Sequence, residues 1–562
     1  MDHPSRSLEH DSLAHKAQAE THEVFNQPTP LEHYNAYTSD NALQFWITKF
    51  GGDWASSNLR AYGDRCGNEL QRAGFLANEN KPQFDTHDRF GHRVDLVRFH
   101  PAYHELMHAA VRAGIHASPW RHPIAGAHVA RAGLMYLHTQ AEAGTCCPIT
   151  MTFAAVPALK STPSVAAEWL PKILSDEYDE RNVPYTQKNG VTIGMAMTEK
   201  QGGSDVRANT TRAYPLGEAG PGEAYEIVGH KWFCSAPMSD AFLVLAQTES
   251  GLSCFLLPRW RPDGNKNAMH IQRLKNKLGN CSNASSEVEY RGAFAWMLGE
   301  EGRGVRTIID MVAMTRFDCM IGSSGLMRAA VAQATHHTSG RSVFGKNLHK
   351  QPLMQNVLAD LALESEAALA LTMRLAHSLD QQQDEAHQLF ARLVTAIGKY
   401  WICKRAPHLT YEAMECIGGV GYVEENLLPR LYREAPVNAI WEGSGNVQCL
   451  DVLRATDKSP AAVEVLFNEL NLVRGQSVAF DQQFLQLQKL LKDPTSIEAN
   501  SRFVVDKLAV LLQAATLMQS GESLISDAFV AARVEGQSAF NYGSLLNQSQ
   551  SQAIMQRAQP HL

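Results

Sequence analysis

Met195-Ala196-Met197-Thr198-Glu199-Lys200-Gln201-Gly202-Gly203-Ser204-Asp205 marks the point at which the chain changes texture. Before it, apolar residues recur three and four apart in stretches such as 42–50, 103–113 and 127–140, the period of helices that bury one face. After it come short β-rich runs at 225–232, 242–247 and 254–257, punctuated by Gly, Pro and Asn. Beyond Gly304 the helical period returns over 305–337, 353–379, 388–417 and 446–454, lengths suited to an antiparallel bundle. It continues in shorter stretches at 461–472, 480–491, 503–518 and 524–534. The predicted fold is therefore α+β and multidomain. It has a polar tail over 1–20, an N-terminal helical domain over 21–192, a middle β domain over 193–304, a helical bundle over 305–455, and an extra C-terminal helical domain over 456–562.

The 562 residues are 44% hydrophobic and 19% charged, too apolar for a disordered chain, and the formal net charge of −7 supplies no global attraction to phosphate. Ten cysteines, with Cys146 and Cys147 adjacent and no Cys-x-x-Cys spacing, read as reduced buried thiols rather than a zinc framework. The polar N-terminus lacks a secretory apolar region, and no window approaches the roughly 18 consecutive apolar residues of a membrane span. Cytoplasmic residence without a membrane partner is the expectation.

Two motifs carry less than their patterns promise. His104-Glu105-Leu106-Met107-His108 matches the H-E-x-x-H zinc signature, yet Val111 and Gly114 stand where its longer form needs glycine and a third histidine, so no metal is expected. Gly418-Gly419-Val420-Gly421 follows a helical stretch rather than a strand, which argues against a dinucleotide loop. Three other segments are more informative together. The opening segment concentrates hydroxyls and bare glycine backbone, so a flat ligand could approach closely, although a polar turn explains it equally well. Gly229-His230-Lys231-Trp232-Phe233-Cys234-Ser235 ends a predicted strand with aromatics beside a hydroxyl, suited either to a core or to stacking on a ring. Ile440-Trp441-Glu442-Gly443-Ser444-Gly445-Asn446 sets one carboxylate before a helix start, whose free amides favour an anion; a solvated turn is the alternative.

In this order, the three segments resemble the acyl-CoA dehydrogenase family of flavoproteins, over about residues 40–455. Lys277-Leu278-Gly279, Arg341-x-x-Phe344-Gly345 and Gly421-Tyr422 are similar to further motifs of that family. Val24-Phe25-Asn26-Gln27-Pro28, the Cys147 to Phe153 run and Met314-Thr315-Arg316-Phe317-Asp318-Cys319 resemble a branch of it associated with the response to DNA alkylation. The resemblance implies FAD as cofactor. It places Met195, Ala196, Met197, Thr198, Gly202, Gly203 and Ser204 at a first flavin contact, and Phe233, Cys234 and Ser235 at a second. Ile440, Gly443, Ser444, Gly445 and Asn446 fall at a third.

Glu442 occupies the family's catalytic-base position, removing the proton α to a thioester while hydride leaves for flavin N5. Thr315 stands where some branched-chain members carry their base, and threonine cannot replace a carboxylate. Arg341 and Phe344 correspond to residues that reach FAD in a neighbouring subunit, implying a homo-oligomer, a tetramer as in the family. Glu415 departs from the glutamine common near the neighbour's pyrophosphate, and Trp441 from the usual tyrosine, which narrows the acyl pocket. The expected activity is FAD-dependent oxidation of an acyl-CoA or similar substrate. The alternative is a protective protein with vestigial dehydrogenase activity that binds double-stranded DNA through its C-terminal domain. Against it, residues 451–562 hold nine Lys or Arg and eleven Asp or Glu, leaving only Arg474, Lys489, Lys492 and Arg502 as a potential patch.

Overall fold

The computed structural model describes residues 21–492, 497–546 and 548–561, so the polar tail expected over 1–20 lies outside the described residues. The order is helical, β, helical, helical, as the sequence predicts. The N-terminal region nevertheless contains an antiparallel hairpin, Gln83–His87 with Arg93–Arg98. Its polar sequence hides it. What holds it is distant: Val97 belongs to the core of the β domain, and Phe84 packs against that core.

The middle domain is a closed sheet. Ala241–Thr248 pairs with Gly251–Pro258, which pairs with Ser285–Leu298, then Ala224–Ser235, then Arg212–Pro215. A parallel bridge from Arg212 to Gln247 closes the ring. Phe242, Val244, Phe255, Leu257, Tyr225, Ile227, Val288 and Tyr290 fill its interior. Ile193–Ala196 joins the outside edge in parallel with Ala241–Thr248, which delivers the chain to the 198–205 loop. Strand Ser285–Leu298 is buried on both faces over its first four residues, so it does not read as simple alternation there.

Beyond the sheet, Gly304–Gly340, Pro352–Asp380, Glu385–Ile417 and Leu427–Ile440 form the bundle. Gly304–Gly340 packs on Cys146–Lys160 and Ala127–Ala141, so bundle and N-terminal region share one core. A buried bidentate pair ties them: Arg131 Nη1 and Nη2 each donate to Asp318 at 2.6 Å, and Thr150 donates to the same carboxylate at 2.7 Å.

The C-terminal helices are clamped to the bundle by charge as well as by the apolar helix Ser501–Met518. Arg374 grips Glu469, Arg533 reaches Asp360 and Glu364, and Arg557 holds Glu366. Asn356 exchanges hydrogen bonds with the Leu545 backbone. No helix among the described residues is long and apolar enough to cross a membrane.

Candidate active site

The 198–205 loop is built over a buried ion pair. Glu199 is fully buried and accepts hydrogen bonds from the Thr210 amide and hydroxyl, the Thr211 amide and Gln201, at 2.7, 2.9, 3.1 and 2.8 Å. The Lys231 ammonium donates to it at 3.0 Å and to the Leu245 carbonyl at 2.9 Å. Burial lowers the Lys231 pKa to about 8, against the pull of Glu199. Above this pair the chain doubles back: Gly202, at φ +129°, donates to the Glu199 carbonyl, and a Cβ on Gly203 would meet Thr198 Oγ1 at 2.3 Å. Glycine is therefore required at 203 for the loop to close on Thr198.

The second segment lies alongside because the strand bulges. Lys231 pairs with Val288 and Cys234 with Ser286, so Ala224–Ser235 carries one extra residue at Trp232 and Phe233. The Trp232 amide leaves the ladder and donates to the Thr198 carbonyl at 2.8 Å, joining the first two segments directly. The bulge turns the Phe233 ring out to 48% exposure. The Cys234 side chain points into the sheet core, where burial pushes its thiol up to about 12, and its carbonyl accepts from Ser286 Oγ at 2.9 Å. Ser235 Oγ lies 3.0 Å from Ser285 Oγ.

The third segment is a bend forced by left-handed backbone. Helix Leu427–Ile440 stops at Trp441; Glu442 takes φ +57° and Gly443 φ +99°, and helix Gly445–Lys458 follows. A glutamate at positive φ costs about 1–3 kcal/mol, so something must hold it. Arg316 Nε and Gln448 Nε2 donate to the Glu442 carbonyl at 3.0 Å each, Gln448 also to Gly443 O at 3.0 Å, and Lys399 Nζ to Trp441 O at 2.7 Å and to Gly443 O. These polar groups fix main chain. The half-buried carboxyl has Thr315, whose Oγ1 is 2.7 Å from Oε2. Burial raises the Glu442 pKa above the usual glutamate value, with the Thr315 hydrogen bond, Lys399 and Arg316 working the other way.

The three segments meet at one small apolar cluster. Cys147 and Met151 from helix Cys146–Lys160 pack with Ala236, with Met195 from the first segment and with Trp441 from the third. Trp441 is pinned by its Nε1 donating to Asn438 Oδ1 at 3.1 Å, and Asn438 in turn donates to Ser323 Oγ at 3.2 Å. The Ser444 hydroxyl does not cap helix Gly445–Lys458, so its first amides have no side-chain cap. Asn446 at that end accepts from Arg502 of the C-terminal helices at 2.8 Å.

Arg341 and Phe344 are not brought to this cluster. They follow helix Gly304–Gly340, and at 1.5 Å per residue its end lies about 38 Å along the axis from Thr315. Arg341 donates to the Asn26 carbonyl at 3.2 Å, while Phe344, at φ +50° on a short hairpin, is 100% exposed. Glu415 is exposed on the last turns of helix Glu385–Ile417. His104 of the H-E-x-x-H run sits 3.0 Å from Tyr178 OH and 3.1 Å from Glu180, and no three potential metal ligands gather among the described residues. Of the C-terminal cations, Arg533 and Arg557 are paired with bundle carboxylates, while Arg474, Lys489, Lys492 and Arg502 are exposed.

Lys231 and Lys399 act on groups far away in sequence, Glu199 and the Trp441 and Gly443 carbonyls, and Asn438 reaches Ser323. Gln448 instead binds the Glu442 and Gly443 carbonyls six and five residues before it.

Comparisons with known proteins agree with this layout. Residues 26–180 match the adaptive response protein AidB N-terminal domain, 194–293 the acyl-CoA dehydrogenase middle domain and 302–456 the acyl-CoA dehydrogenase C-terminal domain. The chain is 50% identical over 478 residues to the putative acyl-CoA dehydrogenase AidB of Escherichia coli strain K12, covering 84% of this chain and 88% of that protein. The crystal structure of Caenorhabditis elegans ACDH-11 in complex with C11-CoA superposes with a TM-score of 0.82 at 27% identity, over 97% of this chain and 95% of that one. The apo form of Bd2924 superposes with a TM-score of 0.81 at 30% identity, over 89% and 100% respectively.

Proposed function

The chain belongs to the acyl-CoA dehydrogenase family, in its AidB branch, and from that premise we propose that Glu442 removes the α-proton of an acyl-CoA held beside FAD at the junction of the three segments. The observation that carries this reading is the packing of Met195, Ala236 and Trp441 in one cluster, with Glu442 next along the chain.

The residues fit the cofactor. Thr198 and Ser204 have hydroxyls without a hydrogen-bond partner among the described residues, and Phe233 presents half its ring to solvent beside them. Gly202 and Gly203 keep side chains out of the approach, and the uncapped first amides of helix Gly445–Lys458 suit a negatively charged group. Bound FAD supplies a hydride acceptor. The protein's own part is to hold and to deprotonate. Glu442 accepts the α-proton, and its raised proton affinity suits a base that works near neutral pH. Arg316 and Lys399 hold its backbone in the left-handed bend, which fixes where the side chain begins. Trp441, braced by Asn438, bounds the acyl group.

The relative solved with C11-CoA supports an acyl-CoA as substrate here. The distance of Arg341 and the full exposure of Phe344 support their use on a second copy of the chain, in a homotetramer.

Titration of FAD into flavin-free protein tests the site. Tight one-to-one binding is expected, weakened by Thr198→Val and Phe233→Ala. A correctly folded chain that takes up no FAD would refute the assignment.

A further inference from the structure

Resting on Glu442 as the base, we propose that Thr315 is a positioning residue that holds the Glu442 carboxyl in one place in both of its protonation states, by turning a single hydroxyl proton between two acceptors. Thr315 Oγ1 lies 2.7 Å from Glu442 Oε2 and 3.0 Å from the Val312 carbonyl, and the residue is only 2% exposed. A hydroxyl has one proton and two lone pairs. With both neighbours acceptors and Glu442 ionised, the proton goes to the carboxylate and Val312 O does without it. Once Glu442 carries a proton, its O–H donates to Oγ1, and the Thr315 proton turns onto Val312 O, the back-bond that a helical threonine makes readily.

No heavy atom moves, and no proton passes through Thr315. The proton that Glu442 takes from substrate carbon stays on Glu442, because a peptide carbonyl cannot relay it. The device answers a need visible in the geometry. Arg316, Gln448 and Lys399 all bind main-chain carbonyls of the bend, so among the described residues Thr315 alone hydrogen-bonds the carboxyl itself.

The other charged or titratable groups near Glu442 are Arg316, Lys399, Cys147 and Cys319. Arg316 is paired with Asp451, and Lys399 is held by two carbonyls. The Cys147 thiol, from helix Cys146–Lys160, is pushed to about 11 mainly by burial, and that of Cys319, from helix Gly304–Gly340, is raised well above its usual value.

Thr315→Val keeps the shape and removes the hydroxyl; Thr315→Ser restores it. The direct readout is the pH titration of the protonated-carboxyl infrared band, isolated by subtracting Glu442→Gln, in flavin-free and in FAD-loaded protein. Thr315→Val loses a bond to the carboxyl in both states, and the bond to the ionised form is the stronger, so Thr315→Val should titrate about one pH unit higher, and Thr315→Ser close to wild type. In turnover, Thr315→Val should lower kcat roughly tenfold with little change in KM and move the acid limb of the profile upward, with Thr315→Ser recovering most of the loss. A Thr315→Val band that titrates with wild type overturns the proposal whatever the turnover does. An infrared shift as expected in a wild-type protein that oxidises no acyl-CoA would refute the dehydrogenase reading and leave the hydroxyl pairing standing.

Discussion

Replacing Lys231 with methionine should loosen the loop that carries Thr198 and Ser204. The side chains of Lys231 and Glu199 are both fully buried, with 3.0 Å between ammonium and carboxylate. Removing one partner of such a pair typically costs about 3–5 kcal/mol, because the other charge stays buried. Glu199 retains its four other donors, the Thr210 amide and hydroxyl, the Thr211 amide and Gln201, so the lower end applies, about 3 kcal/mol. Changing both residues, to Glu199→Gln with Lys231→Met, removes the stranded charge. The new amide cannot accept on both sides, however, and one donor of the pair Thr210 and Thr211 is left without a partner at about 1–3 kcal/mol. The double variant should thus be no less stable than Lys231→Met alone; since Glu199→Gln alone strands the buried Lys231 at about 3 kcal/mol or more, the two changes are non-additive by at least about 3 kcal/mol.

Global unfolding of a multidomain chain does not isolate this effect; amide hydrogen exchange at Thr210 and Thr211 does, because both amides end on Glu199. Three kcal/mol corresponds to protection lower by about a hundredfold at those two amides, accompanied by weaker FAD retention. Protection unchanged in Lys231→Met would show that the pair does not hold the loop.

Other consequences are as specific. Glu434 is buried, and burial followed by repulsion from Glu142 raises its pKa to about 7. An acid whose pKa is raised on folding contributes stability that is full below its unfolded value of about 4.3 and is lost as pH rises through 7. Glu434→Gln, which keeps an acceptor for the Asn280 amide, should therefore be near neutral at pH 4 and stabilising by on the order of 3 kcal/mol at pH 8, checked by denaturation at the two pH values. Arg533→Ala strips a cation from Asp360 and Glu364; calorimetry should show the C-terminal helices releasing earlier, by about 3 kcal/mol. Trp441→Tyr removes the brace to Asn438 and bulk from the pocket wall, so relative kcat/KM should rise for longer acyl chains in an acyl-CoA series.

The long helices were readable because each repeats its apolar spacing many times: 305–337 in sequence terms becomes Gly304–Gly340, and 353–379 becomes Pro352–Asp380. The candidate segments were legible for another reason, since bare glycines, a hydroxyl cluster and a glutamate before a helix start are unusual locally. The hairpin at Gln83–His87 and Arg93–Arg98 was not, because its burial comes from another domain. The bulge at Trp232 and Phe233 depends on a register with residues fifty positions away. Nor could the sequence give Glu442 its left-handed backbone, which exists only because Arg316, Lys399 and Gln448 arrive together from two other helices and the one that follows. Threonine at 315 is unfit to be a base, and its use emerges only when its hydroxyl is seen between a carboxylate and a carbonyl.

The central claim concerns one carboxyl. FAD-loaded wild type and Glu442→Gln, mixed without oxygen with a graded set of acyl-CoAs, should differ in one respect: wild type loses its oxidised-flavin absorbance with at least one member of the set, while the variant binds FAD equally well and keeps it. Bleaching of the Glu442→Gln protein at the wild-type rate would contradict the account.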